Sequence, residues 1–409
     1  MRPLVAACCL LGLAACVVPP AEDGNDSLSE YDYQLAPTEA GIVPLPLGEA
    51  WPDFSMGWQR RDELAEAAGY SLAYLGKPSS QGYFPYGPND EITHERMVAS
   101  LEAFRDVLHE SRSAEEFLDR LEQDFEVWVA RGRTDTGDVY FTGYGTPILD
   151  GATERGGPYQ YPLYRKPEDL VKEDDGTSRG RALGDGSFAP YWTHRELLDG
   201  GHLDGLELVW LTHPFDAYIA HVQGSAVIRL PEGELMEVGY SAKNGHEYRS
   251  IGMALVEEGK MTSDQLSLQK LRDYFAANPE EVDRVLPMNP SYVFFQASAG
   301  GPYGCLGQPV TAGHSIATDK DIFPRAAVVY VEARLPEYDV DGELVQRPAR
   351  FFAFDQDRGG AIRSAGRCDI FLGLGDQAMA RAGYVSSRGR LYYLFLREGA
   401  GRPLAHAGH

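Results

Sequence analysis

The sequence predicts a mainly β fold with some helices. It contains 45 glycines and 26 prolines in 409 residues, a composition that favours turns and short strands over long helices. From about residue 138 onward, short apolar and aromatic runs alternate with Gly-rich turns. Hydrophobic residues make up 43% of the chain, which is enough for a full core. Short strands at close spacing with glycine corners are typical of small closed barrels.

Three helices are predicted before the first strand of this region. Residues 58–68 fit a short helix that ends at Gly69, and residues 92–109 fit a longer one with its apolar residues on one face. Ser113 followed by Glu116 is a capping box that begins a third helix. The apolar stripe of this third helix comprises Phe117, Leu121 and Phe125.

The rest of the chain alternates strands with turns, apart from two more helices and a loop-rich stretch at 155–200. The strands are predicted at 139–142, 206–212, 225–230, 289–296, 328–333, 351–354, 370–372 and 391–397. The first strand is expected to end in a Gly/Pro turn within residues 141–147. One helix carries Leu271 and stops at Asn278, which should cap the next helix with Pro279 at its first position.

We expect the rest of the chain to be arranged around one unit near the C-terminus, residues 350–375. Its first strand delivers Asp357 onto a turn made by Gly359 and Gly360, and Asp369 leads a second apolar run. Glycine lets the backbone approach another group closely. Carboxylates carried by strands have fixed positions, so the unit predicts a carboxylate site on a sheet.

The charge excludes two classes of protein. The formal net charge is −24, whereas nucleic acid and anionic membrane surfaces both require clustered Lys and Arg. The chain is therefore not expected to bind nucleic acid or to lie on a membrane through a polybasic surface.

The N-terminus predicts a lipid anchor. Arg2 is followed by an apolar run, residues 4–13, which is too short to span a bilayer, and then by LAAC, which ends at Cys16. Residues 1–15 resemble a bacterial lipoprotein signal peptide, with acyl chains added to Cys16 after cleavage. Residues 16–45 then form a flexible tether. Because residue 17 is not Asp, we expect an outer-membrane protein facing the periplasm; the alternative is a simple secretory signal with an incidental cysteine.

Nine motifs follow one another between residues 141 and 375. They are FTGYGTP (141–147), PLYRKP (162–167), VQGS (222–225), KNGHEYRSIG (243–252), NPSYVFF (289–295), GPYGCLG (301–307), SIATD (315–319), DRGGAI (357–362) and CDIFLGLG (368–375). In this order they resemble the membrane-bound lytic murein transglycosylase A family. That family cleaves the MurNAc–GlcNAc β-1,4 bond of peptidoglycan and leaves a 1,6-anhydro ring on MurNAc.

The resemblance implies a fold and a division into domains. The expected fold is a double-psi β-barrel domain interrupted by a second, smaller β-barrel domain, with the glycan in the groove between them. On that pattern the catalytic domain comprises residues 46–147 and 300–409, and the second domain comprises residues 148–299.

The resemblance also assigns three acids. The family's characteristic acidic positions match Asp319, Asp357 and Asp369, and its acid/base corresponds to Asp369. Asp355 is an extra acid near these positions. For Asp319, a turn cap that holds its loop closed is as good an interpretation as a catalytic role.

A single carboxyl is sufficient for this chemistry. Most glycosidases use two carboxylates, but in the family that the chain resembles the MurNAc C6 hydroxyl is the nucleophile. One group can protonate the departing GlcNAc oxygen and then accept the C6 hydroxyl proton. Its pKa must be raised, which burial and neighbouring carboxylates both achieve. Asp369 is expected to have this role, with Asp357 as the supporting group.

Sugar binding requires aromatic rings and polar side chains. The expected substrate-binding residues lie in the motifs above and are Tyr144, Gln223, Ser225, Lys243, Asn244, Tyr248, Ser291, Tyr292, Gly359 and Gly360. No cofactor is expected. A metal site is not expected either, because the ten histidines show no HExxH motif or paired Cys/His spacing.

Several alternatives are compatible with the sequence. A non-catalytic murein-binding clamp would not need Asp369 beside Asp357, and an aspartic-protease-like site would need a second D-x-G loop. A hydrolytic muramidase on the same fold would release reducing ends. Cys305 and Cys368 could pair in an oxidising periplasm or remain two separate buried thiols.

Overall fold

The computed structural model describes residues 31, 33–35, 39–173, 177–262, 266, 268–359 and 362–399. Within them the α-helices are α1 (Arg61–Leu75), α2 (His94–Glu110), α3 (Ala114–Asp124), α4 (His194–Asp199), α5 (Pro214–Gln223), α6 (Ile251–Glu257), α7 (Leu268–Ala277), α8 (Val282–Val285) and α9 (Gly375–Tyr384). The strands are β1 (Ile42–Pro44), β2 (Phe125–Ala130), β3 (Val139–Thr146), β4 (Ile148–Ala152), β5 (Tyr161–Tyr164), β6 (Leu170–Lys172), β7 (Ser178–Ala182), β8 (Phe188–Ala189), β9 (Glu207–Leu211), β10 (Ala226–Arg229), β11 (Leu235–Lys243), β12 (Val293–Ser298), β13 (Ser315–Ala317), β14 (Val328–Tyr338), β15 (Leu344–Asp357), β16 (Arg367–Leu374) and β17 (Ser387–Leu396).

Six strands close into a barrel. The order is β17-β14-β15-β13-β16-β3, and β3 pairs back to β17. The pairs β13–β15 and β16–β3 are parallel, and the others are antiparallel. This closed barrel with two parallel pairs confirms the predicted mainly β fold and fits a double-psi architecture.

Helices α1 to α3 cover one side of the barrel. Their apolar residues join the barrel in one core that includes Phe104, Phe117, Phe352 and Phe354, all fully buried. The phenylalanines pack ring against ring, with centroids of Phe104 and Phe352 at 5.1 Å. This packing fixes the strand that ends at the carboxylate site.

A second sheet is inserted between β3 and β13 of the chain. Its order is β12-β11-β10-β4-β9-β5. A parallel bridge between Arg165 and Phe295 brings the two end strands together, so the sheet curves towards closure. Its core contains Leu163, Val209 and Phe295, while α5 to α8 form a neighbouring core around Phe215 and Phe275.

Several local predictions were wrong. Gly69 does not end the first helix, because α1 continues to bury Tyr74 and Leu75. Phe125 begins β2 rather than extending the third helix. Asn278 makes no side-chain cap, since its Nδ2 donates back to the Tyr274 carbonyl at 2.8 Å.

The two glycines of FTGYGTP serve close packing rather than a turn. Strand β3 runs through both of them to Thr146. A Cβ on Gly143 would lie 2.7 Å from the Val385 side chain, and one on Gly145 would lie 3.1 Å from a backbone oxygen of β16. The helix α9, which the sequence did not predict, can therefore pack directly on the strand. The loop-rich stretch 155–200 likewise contains the short strands β5 to β8.

Candidate active site

Strands bring the two principal acids to opposite sides of one residue. Asp357 ends β15 and Asp369 lies in β16, and both pair with Ala317 of the intervening β13. Adjacent strands are about 4.8 Å apart, so the two backbones are separated by one strand only. The site therefore lies where β13, β15 and β16 meet.

Asp369 is a buried acid whose pKa is raised towards neutral pH. Burial, together with the negative charge of Asp357, raises its pKa to about 6, against the opposing effect of Arg367. Thr142 pairs with Asp369 across β3 and β16, and its hydroxyl donates to the Asp369 carboxyl. An aspartic acid with this pKa is present in both protonation states near neutral pH.

Asp357 is held by neutral donors. The Tyr144 hydroxyl donates to Oδ2 at 2.8 Å, and the backbone N–H groups of Cys305 and Arg358 donate to Oδ1 at 2.9 and 2.8 Å. Burial raises the pKa of Asp357, and these hydrogen bonds oppose that rise. Its orientation is therefore fixed by groups from β3 and from two loops.

Asp319 has the hydrogen bonds of a turn cap. Its Oδ1 accepts from the Asp321 N–H at 3.1 Å, and its carbonyl accepts from the N–H groups of Ile322 and Phe323 at 3.2 and 2.9 Å. Burial raises the pKa of Asp319, and Arg358 and Arg363 lower it. Asp319 therefore lies near the two arginines that follow Asp357 while closing its own loop.

The extra acid Asp355 is part of the barrel interior. It forms an ion pair with Lys320, and both side chains are fully buried. Thr318 and Tyr393 donate hydroxyl hydrogen bonds to Asp355 at 2.7 and 2.9 Å. The oxygens of the Asp355 carboxylate are therefore bound by side chains of the barrel interior.

Among the expected substrate-binding residues, the structure brings Tyr144, Gly359 and Lys243 towards the acids. A Cβ on Gly359 would lie 3.4 Å from Oδ2 of Asp369. Lys243, from the inserted sheet, is half-buried, and burial and the charge of Arg363 lower its pKa. Lys243 is thus close to the loop that joins the two acids.

The other expected residues have structural contacts. Asn244 is buried, and its Nδ2 donates to the carbonyls of Trp192 and Pro290 at 2.9 and 2.8 Å. Its Oδ1 accepts from the Tyr292 N–H at 2.9 Å. Ser291 and Tyr292 are also buried. Asn244 therefore ties the end of β11 to the residues that precede β12.

Three further expected residues lie on the inserted segment. Gln223 ends α5, and the Ser225 hydroxyl lies 3.3 Å from that of Thr146 in β3. The Tyr248 hydroxyl lies 3.2 Å from that of Tyr218. Gly360 and the predicted lipidation residue Cys16 lie outside the described residues.

Sequence reasoning missed Thr142 and the backbone of Cys305. Thr142 lies two residues before Tyr144 in the same strand, so strand alternation alone could have placed both on one face. The Cys305 N–H depends on how residues 301–309 fold over Asp357, and no local pattern encodes that contact.

The two thiols are free and no metal cluster is present in the described part of the chain. The alternative of two separate buried thiols holds for Cys368, which is buried, but was wrong about Cys305, which is exposed. Across the described ranges, no group of three or more His, Cys, Asp or Glu could hold a metal ion. Nor does any helix within them have the length and apolar character needed to cross a membrane.

Comparison with known proteins places these elements in a family. The family model described as the MltA specific insert domain matches residues 140–296, and the 3D domain model matches residues 314–395. The membrane-bound lytic murein transglycosylase A of Escherichia coli K12 is 32% identical over 279 residues, which are 68% of this chain and 71% of the relative. The Vibrio cholerae protein of that name is 30% identical over 384 residues, which are 92% of this chain and 91% of the relative.

A solved structure has the same architecture. The membrane-bound lytic murein transglycosylase from Agrobacterium tumefaciens is 26% identical and superposes with a TM-score of 0.71, over 88% of this chain and 99% of that one. With two relatives at 30% identity or more over most of their length, the chain belongs to the membrane-bound lytic murein transglycosylase A family.

Proposed function

We propose that this chain cleaves the MurNAc–GlcNAc β-1,4 bond of peptidoglycan and forms 1,6-anhydroMurNAc, with Asp369 as acid and then base. The observation that carries the proposal is the pKa of Asp369, raised to about 6 by burial and by the charge of Asp357. A group that must first donate and then accept a proton works best with a pKa near the working pH.

The protonated Asp369 carboxyl donates its proton to the departing GlcNAc oxygen. Its carboxylate then accepts the proton of the MurNAc C6 hydroxyl as that oxygen closes on C1. The Thr142 hydroxyl donates to Asp369, which stabilises the carboxylate formed after the first step and orients it. No water is consumed, so the proton that leaves Asp369 returns to it.

Asp357 supports this cycle electrostatically. Its negative charge disfavours ionisation of Asp369 and attracts the positive charge that develops on the sugar ring in an oxocarbenium-like transition state. Three neutral donors orient Asp357. Asp319 contributes by holding the loop that follows β13, and Arg358 and Arg363 lie near it.

The substrate groove lies between the barrel, residues 46–147 and 300–409, and the inserted domain, residues 148–299. Lys243, on the inserted sheet, interacts electrostatically with Arg363 of the barrel, which supports two walls facing each other near Asp369. Tyr144, Gln223, Ser225, Tyr248 and the Gly359 backbone are assigned to sugar contacts. The chain is anchored to the outer membrane through Cys16, on the N-terminal pattern of Arg2 and LAAC.

Mass spectrometry of the products from purified sacculi tests this function. Fragments that end in 1,6-anhydroMurNAc are expected, because the C6 hydroxyl is the nucleophile. Reducing MurNAc ends would instead indicate hydrolysis with Asp357 as the second carboxylate, and the absence of soluble products with retained binding would indicate a clamp.

A further inference from the structure

Arg325 is a buried cation without an acidic partner among the residues that the structure describes. It lies in the turn before β14, is 8% exposed, and forms no ion pair with any Asp or Glu of the described residues. Its guanidinium carbon lies 3.9 Å from the centroid of the Tyr83 ring. Its Nε is buried without a hydrogen-bond partner. A buried charge of this kind is costly unless something compensates it.

The surroundings of Arg325 are aromatic and contain a second unpartnered group. The Tyr74 hydroxyl is buried, has no hydrogen-bond partner, and lies close enough to Arg325 to feel its charge. Tyr83 and Tyr86 are half-buried beside them. We call Tyr74, Tyr83, Tyr86 and Arg325 the arginine–tyrosine cluster.

The arginine–tyrosine cluster adjoins the loop that holds Asp357. The Cys305 Sγ lies 4.0 Å from Nη1 of Arg325, and the Cys305 N–H donates to Asp357 at 2.9 Å. Cys305 itself is exposed. Cys305 therefore contacts both the arginine–tyrosine cluster and the carboxylate site.

We propose that the arginine–tyrosine cluster binds a carboxylate of the glycan strand and so makes the enzyme selective for anionic strands. A guanidinium presents paired N–H donors that match a carboxylate, and a phenol adds a further donor. The Arg325 Nε and the Tyr74 hydroxyl are polar atoms of this cluster that have no hydrogen-bond partner. The inference rests on the proposed function, and two sources share the chemistry: the lactyl carboxyl of a peptide-free MurNAc and a carboxyl of a stem peptide.

Calorimetric titration of an Asp369→Asn protein, which would bind strands without cleaving them, tests the inference. The ligands are peptide-free MurNAc–GlcNAc strands, the same strands with amidated lactyl carboxyls, peptide-bearing strands, and an N-acetylglucosamine hexamer. Because a charge-assisted hydrogen bond contributes about tenfold or more in affinity, amidation should weaken binding by about that factor if the lactyl carboxyl is bound. If Arg325→Met lowers the affinity for peptide-bearing strands alone, the bound carboxyl belongs to the stem peptide.

Arg325→Met keeps an unbranched apolar side chain at this position and removes the charged guanidinium that lies over Tyr83. It should abolish the preference for the carboxylate-bearing ligand while affecting the uncharged hexamer far less. An equal loss of affinity for every ligand, or no loss of affinity for any of them, would overturn the inference. The amidated strands make the same comparison on a chain with Arg325 intact, so the test does not depend on how the variant folds. Failure of the proposed function would be seen separately, as wild-type products without anhydro ends.

Discussion

Asp355 and Asp357 lie only two residues apart in β15, yet their surroundings are different. Asp355, inside the barrel, faces the ammonium of Lys320 and two hydroxyls. Asp357, at the end of the strand, faces one phenol and two backbone N–H groups. The interior carboxylate is neutralised by a cation and stabilises the fold. Burial raises the pKa of the carboxylate at the strand end, its hydrogen bonds oppose that rise, and its negative charge raises the pKa of Asp369.

The largest effect is expected from Asp369→Asn, since an amide cannot donate the proton. Loss of a general acid/base should lower the rate of anhydro-product formation by about 10²- to 10⁴-fold. The rate is measured on purified sacculi, with Asp341→Asn on an exposed turn as the matched control. Lysis near the wild-type rate by a folded Asp369→Asn protein would remove Asp369 from this role.

Lys320→Met should mainly affect stability, because it leaves Asp355 buried and unpaired. Breaking a buried ion pair costs about 3–5 kcal/mol in the free energy of unfolding. Chemical denaturation measures the loss, and the double variant Lys320→Met/Asp355→Asn should recover much of it because the charge is gone. If Lys320→Met has the same free energy of unfolding as the wild type, the Asp355–Lys320 pair does not stabilise the fold.

Asp357→Asn should move the pH dependence of the reaction. In the wild type the protonated donor is lost as pH rises through about 6, so kcat/KM should fall above that pH. Removing the neighbouring negative charge lowers the pKa of Asp369, and the descending limb should shift to lower pH. A pH–rate profile with an unshifted limb would show that the two acids are not coupled.

Tyr144→Phe should have the smallest effect. It removes one of three hydrogen bonds to Asp357, each of which contributes about 1 kcal/mol. We expect roughly a fivefold loss of kcat/KM, with the aromatic contact between residue 144 and Phe371 retained. Tyr384→Phe, on an exposed side chain at the end of α9, serves as the control. A loss as large as that of Asp369→Asn would give Tyr144 a direct part in the chemistry.

The sequence predicted the acids better than their surroundings. Asp357 and Asp369 each adjoin an apolar strand, so their placement on a sheet could be read locally, and the barrel class followed from short strands and glycine corners. The pairings that put both acids beside Ala317, parallel between β13 and β15 and antiparallel between β13 and β16, are long-range properties and left no local pattern. The sequence alone did not distinguish the role of Asp355 from that of Asp357, because Lys320, the partner of Asp355, lies 35 residues away.

The inserted segment shows the same limit of prediction from sequence. Asn244, Ser291 and Tyr292 have side chains suited to sugar binding, but all three are buried. Asn244 instead satisfies backbone groups around 192 and 290–292. Residue type alone does not separate a polar group that binds substrate from one that holds a loop, since both need the same donors and acceptors.

The pKa of the Asp369 carboxyl is the quantity on which the account depends most. Carboxyl ¹³C NMR on protein labelled at aspartate, with Asp369→Asn used to assign the signal, measures it directly. We predict a midpoint of about 6 in the wild type and a lower one in Asp357→Asn. A wild-type midpoint at or below the ordinary value of 3.8 would mean that Asp369 is fully ionised at working pH and cannot be the proton donor.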